Sequence, residues 1–152
     1  MRRSLKAALA ASLLAGIASA PAQAQQKPEE VLALRKGVYQ VIRANFVPLV
    51  RFAEGKIALD PAKIAELGNR LGAVAPMAAE VFPAGSEKVE GSKAKAEIWS
   101  KPDDFKAKMT AFQTAAAKLA DAAKAGNLDA VKTLVPETGK ACGSCHDDFK
   151  EK

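Results

Sequence analysis

Cys142-Gly143-Ser144-Cys145-His146 constrains this chain more than any other stretch. Both cysteines and the only histidine of its 152 residues fall inside these five positions. C-x-x-C-H is the signature of c-type haem attachment. Each thiol adds across one haem vinyl group to give a thioether, and the adjacent histidine reaches the iron as proximal ligand. On a helix, residues three apart share nearly one face, so Cys142 and Cys145 can meet one porphyrin edge. Three other readings are weaker. A disulfide between cysteines three apart closes too short a loop to constrain much. A thioredoxin-like dithiol wants a βαβ context, which the surrounding sequence lacks. A structural zinc site takes four ligands, usually Cys and His, and the chain has two Cys and one His.

Residues 1–24 read as a secretory signal peptide. Arg2, Arg3 and Lys6 form a basic start, an apolar run follows from Ala7 to Ala18, and Ala22-Gln23-Ala24 is an A-x-A cleavage site. The apolar run is too short and too Ala-rich for a good membrane anchor. The mature chain is then residues 25–152, expected in the periplasm with no membrane span. Haem attachment needs reachable thiols, so export of an unfolded chain fits better than the twin-arginine route that Arg2-Arg3 loosely suggests.

The full chain has 23 basic and 17 acidic residues, but three basic residues sit in the leader, which leaves 20 against 17. That balance does not call for nucleic acid, which an exported protein would rarely meet. The charges spread along helical faces as solvated surface.

Helical periodicity runs through the mature chain. A first helix opens at Pro28 with Glu29 and Glu30 in its first turn. Val31, Leu34, Val38, Ile42, Phe46 and Leu49 recur along its inward face, and Pro48 kinks it without ending it. Asp60-Pro61 starts a second helix, with Ile64, Leu67, Leu71 and Val74 as its core stripe. Gly68 and Gly72, one turn apart, are either tolerated or admit a close neighbour. Pro76 closes that helix. A loop of about twenty residues follows from Val81 to Ser100, anchored to the rest by Trp99. A third helix starts at Pro102, with Phe105, Met109, Phe112, Ala116, Leu119 and Ala123 as a bundle-type seam. Gly126 ends it and Asn127 caps a fourth, in which Leu128, Val131 and Leu134 face inward and Pro136 kinks or interrupts. No stretch alternates with period two for long enough to make a strand. The expected fold is all-α, an antiparallel four-helix bundle enclosing a covalently attached c-type haem.

These residues resemble a known family. A secreted four-helix bundle with C-x-x-C-H near its C-terminus is similar to the class II cytochromes c, chiefly cytochrome c′. The likeness spans the mature chain. It is strongest at Lys27-Pro28-Glu29-Glu30 through Arg35, at Glu97-Ile98-Trp99-Ser100 through Phe112, and from Gly126-Asn127-Leu128-Asp129 to His146. The resemblance implies one covalent haem c and five-coordinate, high-spin iron with His146 as the only protein ligand. It also implies Arg35 on a haem propionate and Tyr39 closing the distal face. Positions 35, 39, 42 and 46 share one helical face, so Ile42 and Phe46 extend the same wall. Read by themselves, the residues also allow Arg35 on the surface and Tyr39 as a core tyrosine. Lys150 stands where the family often has Arg near the proximal side, and it reads here as a solvated charge. Met77 replaces a frequent aromatic, and Pro136 sits in a helix usually free of proline.

The implied function is binding of the diatomic gases NO and CO together with electron transfer to an unknown redox partner, in a protein that is a homodimer and not an enzyme. No paired carboxylates, Ser-His-acid set or phosphate-cradling loop suggests catalysis. One alternative is a low-spin class II electron carrier. That branch uses a methionine on the first helix, where none occurs between Pro28 and Glu54; Met77 and Met109 read as packing. An alternative of another class is a haem-free periplasmic dithiol redox protein.

Overall fold

A computed structural model describes residues 27–152, so the expected signal peptide and its cleavage site lie outside the described residues. Helix α1 spans Pro28–Ala53 and passes through Pro48 unbroken. Its buried positions are Val31, Arg35, Val38, Ile42, Asn45 and Leu49, spaced as one helical face. Leu34, expected on that face, is 46% exposed, and Arg35 takes the inward place. A periodicity count that scores arginine as polar misses this one position, while Val31, Val38, Ile42 and Leu49 are buried as expected.

Helix α2 covers Pro61–Val74. The Asp60 carboxylate accepts the Lys63 backbone N–H at 2.8 Å, a side-chain cap worth about 1 kcal/mol. Ile64, Leu67, Leu71 and Val74 are all buried. Pro76 separates α2 from the single turn α3, Met77–Glu80. The segment from Val81 to Ser100 is irregular except for the turn α4, Glu97–Ser100. That turn carries Trp99, whose indole N–H donates to the Pro83 carbonyl at 3.1 Å.

Helix α5, Pro102–Lys124, buries every residue of the expected seam. Gly126 follows it with φ of 69°, the left-handed geometry that glycine takes without strain. Helix α6, Leu128–Phe149, is capped by the Asn127 side chain, which accepts the Ala130 N–H at 3.0 Å. Pro136 does not interrupt α6. Proline removes only the bond to the carbonyl four residues back, here that of Lys132. Both Lys132 and Pro136 face solvent, where water can satisfy that carbonyl.

The four long helices pack antiparallel. A methyl built on Gly68 would stand 2.6 Å from the Ala123 Cβ, and one on Gly72 would stand 2.9 Å from the Ala120 Cβ. Position rises on α2 as it falls on α5. The two glycines therefore admit a close neighbour. On the other side, a methyl on Gly139 of α6 would meet the Phe46 ring at 3.9 Å, and Lys132 Nζ of α6 lies 5.7 Å from the Phe52 ring centroid, so position again rises on one helix as it falls on the other. Leu49, Ile64, Leu71, Leu119 and Val131 are wholly buried between the helices, each contributing about 1.5–3 kcal/mol. The result is the expected antiparallel four-helix bundle.

Candidate functional site

Helix α6 presents the pentapeptide on its last two turns. Cys145 is buried in the bundle core, Cys142 is half-buried against it, and both are free thiols. Burial raises the Cys142 pKa and pushes Cys145 up to about 11, with the Lys108 ammonium opposing the shift at Cys145. Reactive dithiols sit in electropositive, exposed places that lower the pKa, so this apolar setting argues against dithiol chemistry. His146 is exposed. Partial desolvation, then the Lys150 ammonium, lowers its pKa against an opposing pull from Asp147. That favours neutral imidazole, the form that binds metal.

Tyr39 of α1 packs against the core cluster that contains Cys145. Its burial raises the phenol pKa, and proximity to Cys145 and Cys142 raises it further, so the hydroxyl stays protonated. The hydroxyl donates to the Ala78 carbonyl at 3.2 Å. Ile42, one turn on, is buried in the same core, and Phe46 packs against it. Expected residues 39, 42 and 46 thus lie along the side of α1 that approaches α6.

Arg35, one turn before Tyr39 on α1, meets the same Phe82 ring. It is 6% exposed, which corrects the surface reading. Its Nε donates to the Val81 carbonyl at 3.0 Å, and its two terminal nitrogens donate to Ser92 Oγ at 2.8 Å and Ser86 Oγ at 2.9 Å. The guanidinium lies 4.4 Å from the Phe82 ring centroid and 5.7 Å from that of Trp99. Burial lowers its pKa, yet arginine stays charged. Among the described residues no carboxylate pairs with it. Five N–H donors and three bonds leave two donors for an anion. A buried cation surrounded by neutral acceptors favours such a partner.

No spacing rule links Ser86, Ser92 or Val81 to Arg35, since they lie 46 to 57 residues away. Nor does one reveal the edge-to-face ring chain from Tyr39 through Phe82 and Phe105 to Phe149, with centroids 5.2–6.1 Å apart. Met109 is core, as expected, but Met77 is 42% exposed and is not a packing residue. Lys150 is exposed. Two concave spaces flank the bundle. One, of about 490 Å³, is lined by Leu32, Lys36 and Val89. The other, of about 430 Å³, is lined by Phe82, Trp99 and Phe105. Neither is lined by the cysteines or His146.

The family model described as Cytochrome C′ matches residues 30–150. The chain belongs to the cytochrome c′ family. Cytochrome c′ of Rubrivivax gelatinosus is 35% identical over 127 residues, covering 84% of this chain and 98% of that protein. A crystal structure of cytochrome c′ from the same organism superposes with a TM-score of 0.79 at 34% identity, covering 83% and 98% of the two chains. A nitric oxide complex of a variant cytochrome c prime from Alcaligenes xylosoxidans gives a TM-score of 0.77 at 30% identity, covering 84% and 98%. Cytochromes c′ bind one covalently attached c-type haem, which makes this chain a haem protein.

The donor set fits that group. Two free thiols lie on the inner side of α6, an imidazole follows them directly, and a buried guanidinium keeps two donors for a carboxylate. Among the described residues, no cluster of His, Cys, Asp and Glu offers a competing metal site.

Proposed function

We propose that this chain is a periplasmic gas-binding and electron-transfer cytochrome with five-coordinate, high-spin iron. Cys142 and Cys145 would hold the haem through thioethers, and His146 would be the sole protein ligand of the iron. When bound, the haem supplies a reversible one-electron couple and an iron position open to small uncharged ligands such as NO and CO. The protein's part is to bind, enclose and select. Tyr39 would close one side of the bound haem, Ile42 and Phe46 would extend that apolar wall, and Arg35 would offer its free N–H donors to a propionate. The buried phenol is bonded to the Ala78 carbonyl, and a neutral phenol is a poor ligand for iron.

The observation that carries this reading is that α1 packs Tyr39 against the core that contains Cys145 and has no methionine among its residues. The same observation disfavours a low-spin electron carrier. Mass spectrometry and the pyridine haemochrome spectrum test the attachment. Cys142→Ser and Cys145→Ser should each leave haem on a single thioether, and the double variant should lose covalent haem. A parent protein purified without covalent haem refutes the proposal. No enzymatic role is proposed.

The homodimer belongs to the same reading. Leu34 and Val41 are 46% and 48% exposed on α1. Gly37 lies between them with open space where a side chain would stand. A second α1 crossing at Gly37 would cover this stripe. Among the described residues no helix is long and apolar enough to cross a membrane. The periplasmic assignment rests on the leader sequence.

A further inference from the structure

The motif turn of α6 is held by two lysines outside the motif. Lys108 of α5 donates from Nζ to Ser144 Oγ at 2.6 Å and pairs with Asp148 at 2.9 Å. Ser144 and Asp148 are four residues apart, one helical turn, and they bracket His146. A second lysine, Lys95, donates from Nζ to the Asp147 carbonyl at 3.0 Å. That carbonyl is among the last four of α6, which lack helical partners. The backbone adds a clip: Lys95 N–H donates to the Phe149 carbonyl at 3.0 Å, and Glu151 N–H donates to the Lys93 carbonyl at 2.9 Å.

A ligating histidine usually owes its ring orientation to an acceptor for its other N–H. Among the described residues none accepts from the His146 ring, which is exposed. The ring's aim must then come from the backbone that carries it. A helix's last turn frays unless tied, and here the ties come from Lys108 and Lys95.

We propose that Lys108 and Lys95 form a brace that fixes the turn bearing His146, so that Lys108 is a positioning residue for the proximal ligand. This inference rests on the haem reading above. The brace acts through direct bonds to Ser144, Asp147 and Asp148, and its effect goes beyond adding positive charge near the iron.

The test uses the holoprotein with Lys108→Met, Lys108→Arg and Lys95→Met. Two readouts are taken: the iron–imidazole stretching band of the ferrous protein by resonance Raman, and amide hydrogen exchange at residues 146–150. In Lys108→Met the band should shift and broaden, and exchange should accelerate several-fold. Lys95→Met should accelerate exchange at the same amides. Lys108→Arg, which retains charge and donors, should restore both readouts. A Lys108→Met protein with unchanged band and exchange overturns the brace, as does a change confined to the reduction potential, which would mark a charge effect alone. The mass of the parent tests the attachment separately. Absence of haem there sinks the functional reading and the brace together, whereas full haem with unchanged spectra sinks the brace alone.

Discussion

Gly68 on α2 sits directly against Ala123 on α5, so close that a single methyl on Gly68 would stand 2.6 Å from the Ala123 Cβ. Real carbons do not approach that closely, and both partners are on long helices that cannot yield independently. Gly68→Ala should therefore destabilise the bundle. Overpacking costs about 1–3 kcal/mol, offset by about 1 kcal/mol of gained helix propensity. The net loss, up to about 2 kcal/mol, is read as a lower urea midpoint with an unchanged slope. A Gly68→Ala protein more stable than the parent would show that the helices can move apart freely.

Arg35 fastens the segment from Val81 to Ser92 to α1. Arg35→Met keeps most of the bulk but abandons the Val81 carbonyl and two serine hydroxyls. We expect a loss of about 2–4 kcal/mol, because bonds to a charged donor are strong and buried acceptors would be left bare. Limited proteolysis should then cut within residues 83–92. Arg35→Lys should rescue only partly, since an ammonium lacks the planar fork that reaches three separate acceptors.

Much of this architecture was legible beforehand, for a physical reason. The seams on α2 and α5 are runs of apolar residues at unbroken helical spacing, so periodicity alone finds them. On α1 the expected stripe holds at Val31, Val38, Ile42 and Leu49 and fails at Leu34, where the charged Arg35 turns inward instead. Whether Gly68 and Gly72 were tolerated or needed could not be read, because the answer lies with Ala120 and Ala123 on another helix. The haem motif is local and was therefore plain. Ser86, Ser92 and Lys108 were invisible because each acts on a residue at least 36 positions away, and no spacing rule links them.

On the proposed haem reading, Tyr39 sets the character of the distal side. Tyr39→Met should place a thioether in reach of the iron and convert the absorption spectrum to a low-spin form. Tyr39→Phe should stay high-spin, losing only the bond to the Ala78 carbonyl at a cost of about 1 kcal/mol. A high-spin Tyr39→Met protein would mean that residue 39 does not face the iron.

The exposed stripe on α1 gives a prediction on assembly. Val41→Lys places a charge beside Gly37 on the face proposed to meet a second copy. Sedimentation velocity should report a dimer for the parent and a monomer for the variant, with the helical circular dichroism unchanged. A parent that sediments as a monomer at all concentrations would remove the dimer from the account.

The central claim is an iron held by His146 on one side and left open beneath Tyr39 on the other. The absorption spectrum of the purified protein, ferric and then ferrous with and without CO, tests it most directly. The account predicts a high-spin ferric spectrum and a ferrous form that changes fully on adding CO. A low-spin ferrous spectrum indifferent to CO, with a long-wavelength thioether–iron band in the ferric state, would contradict it.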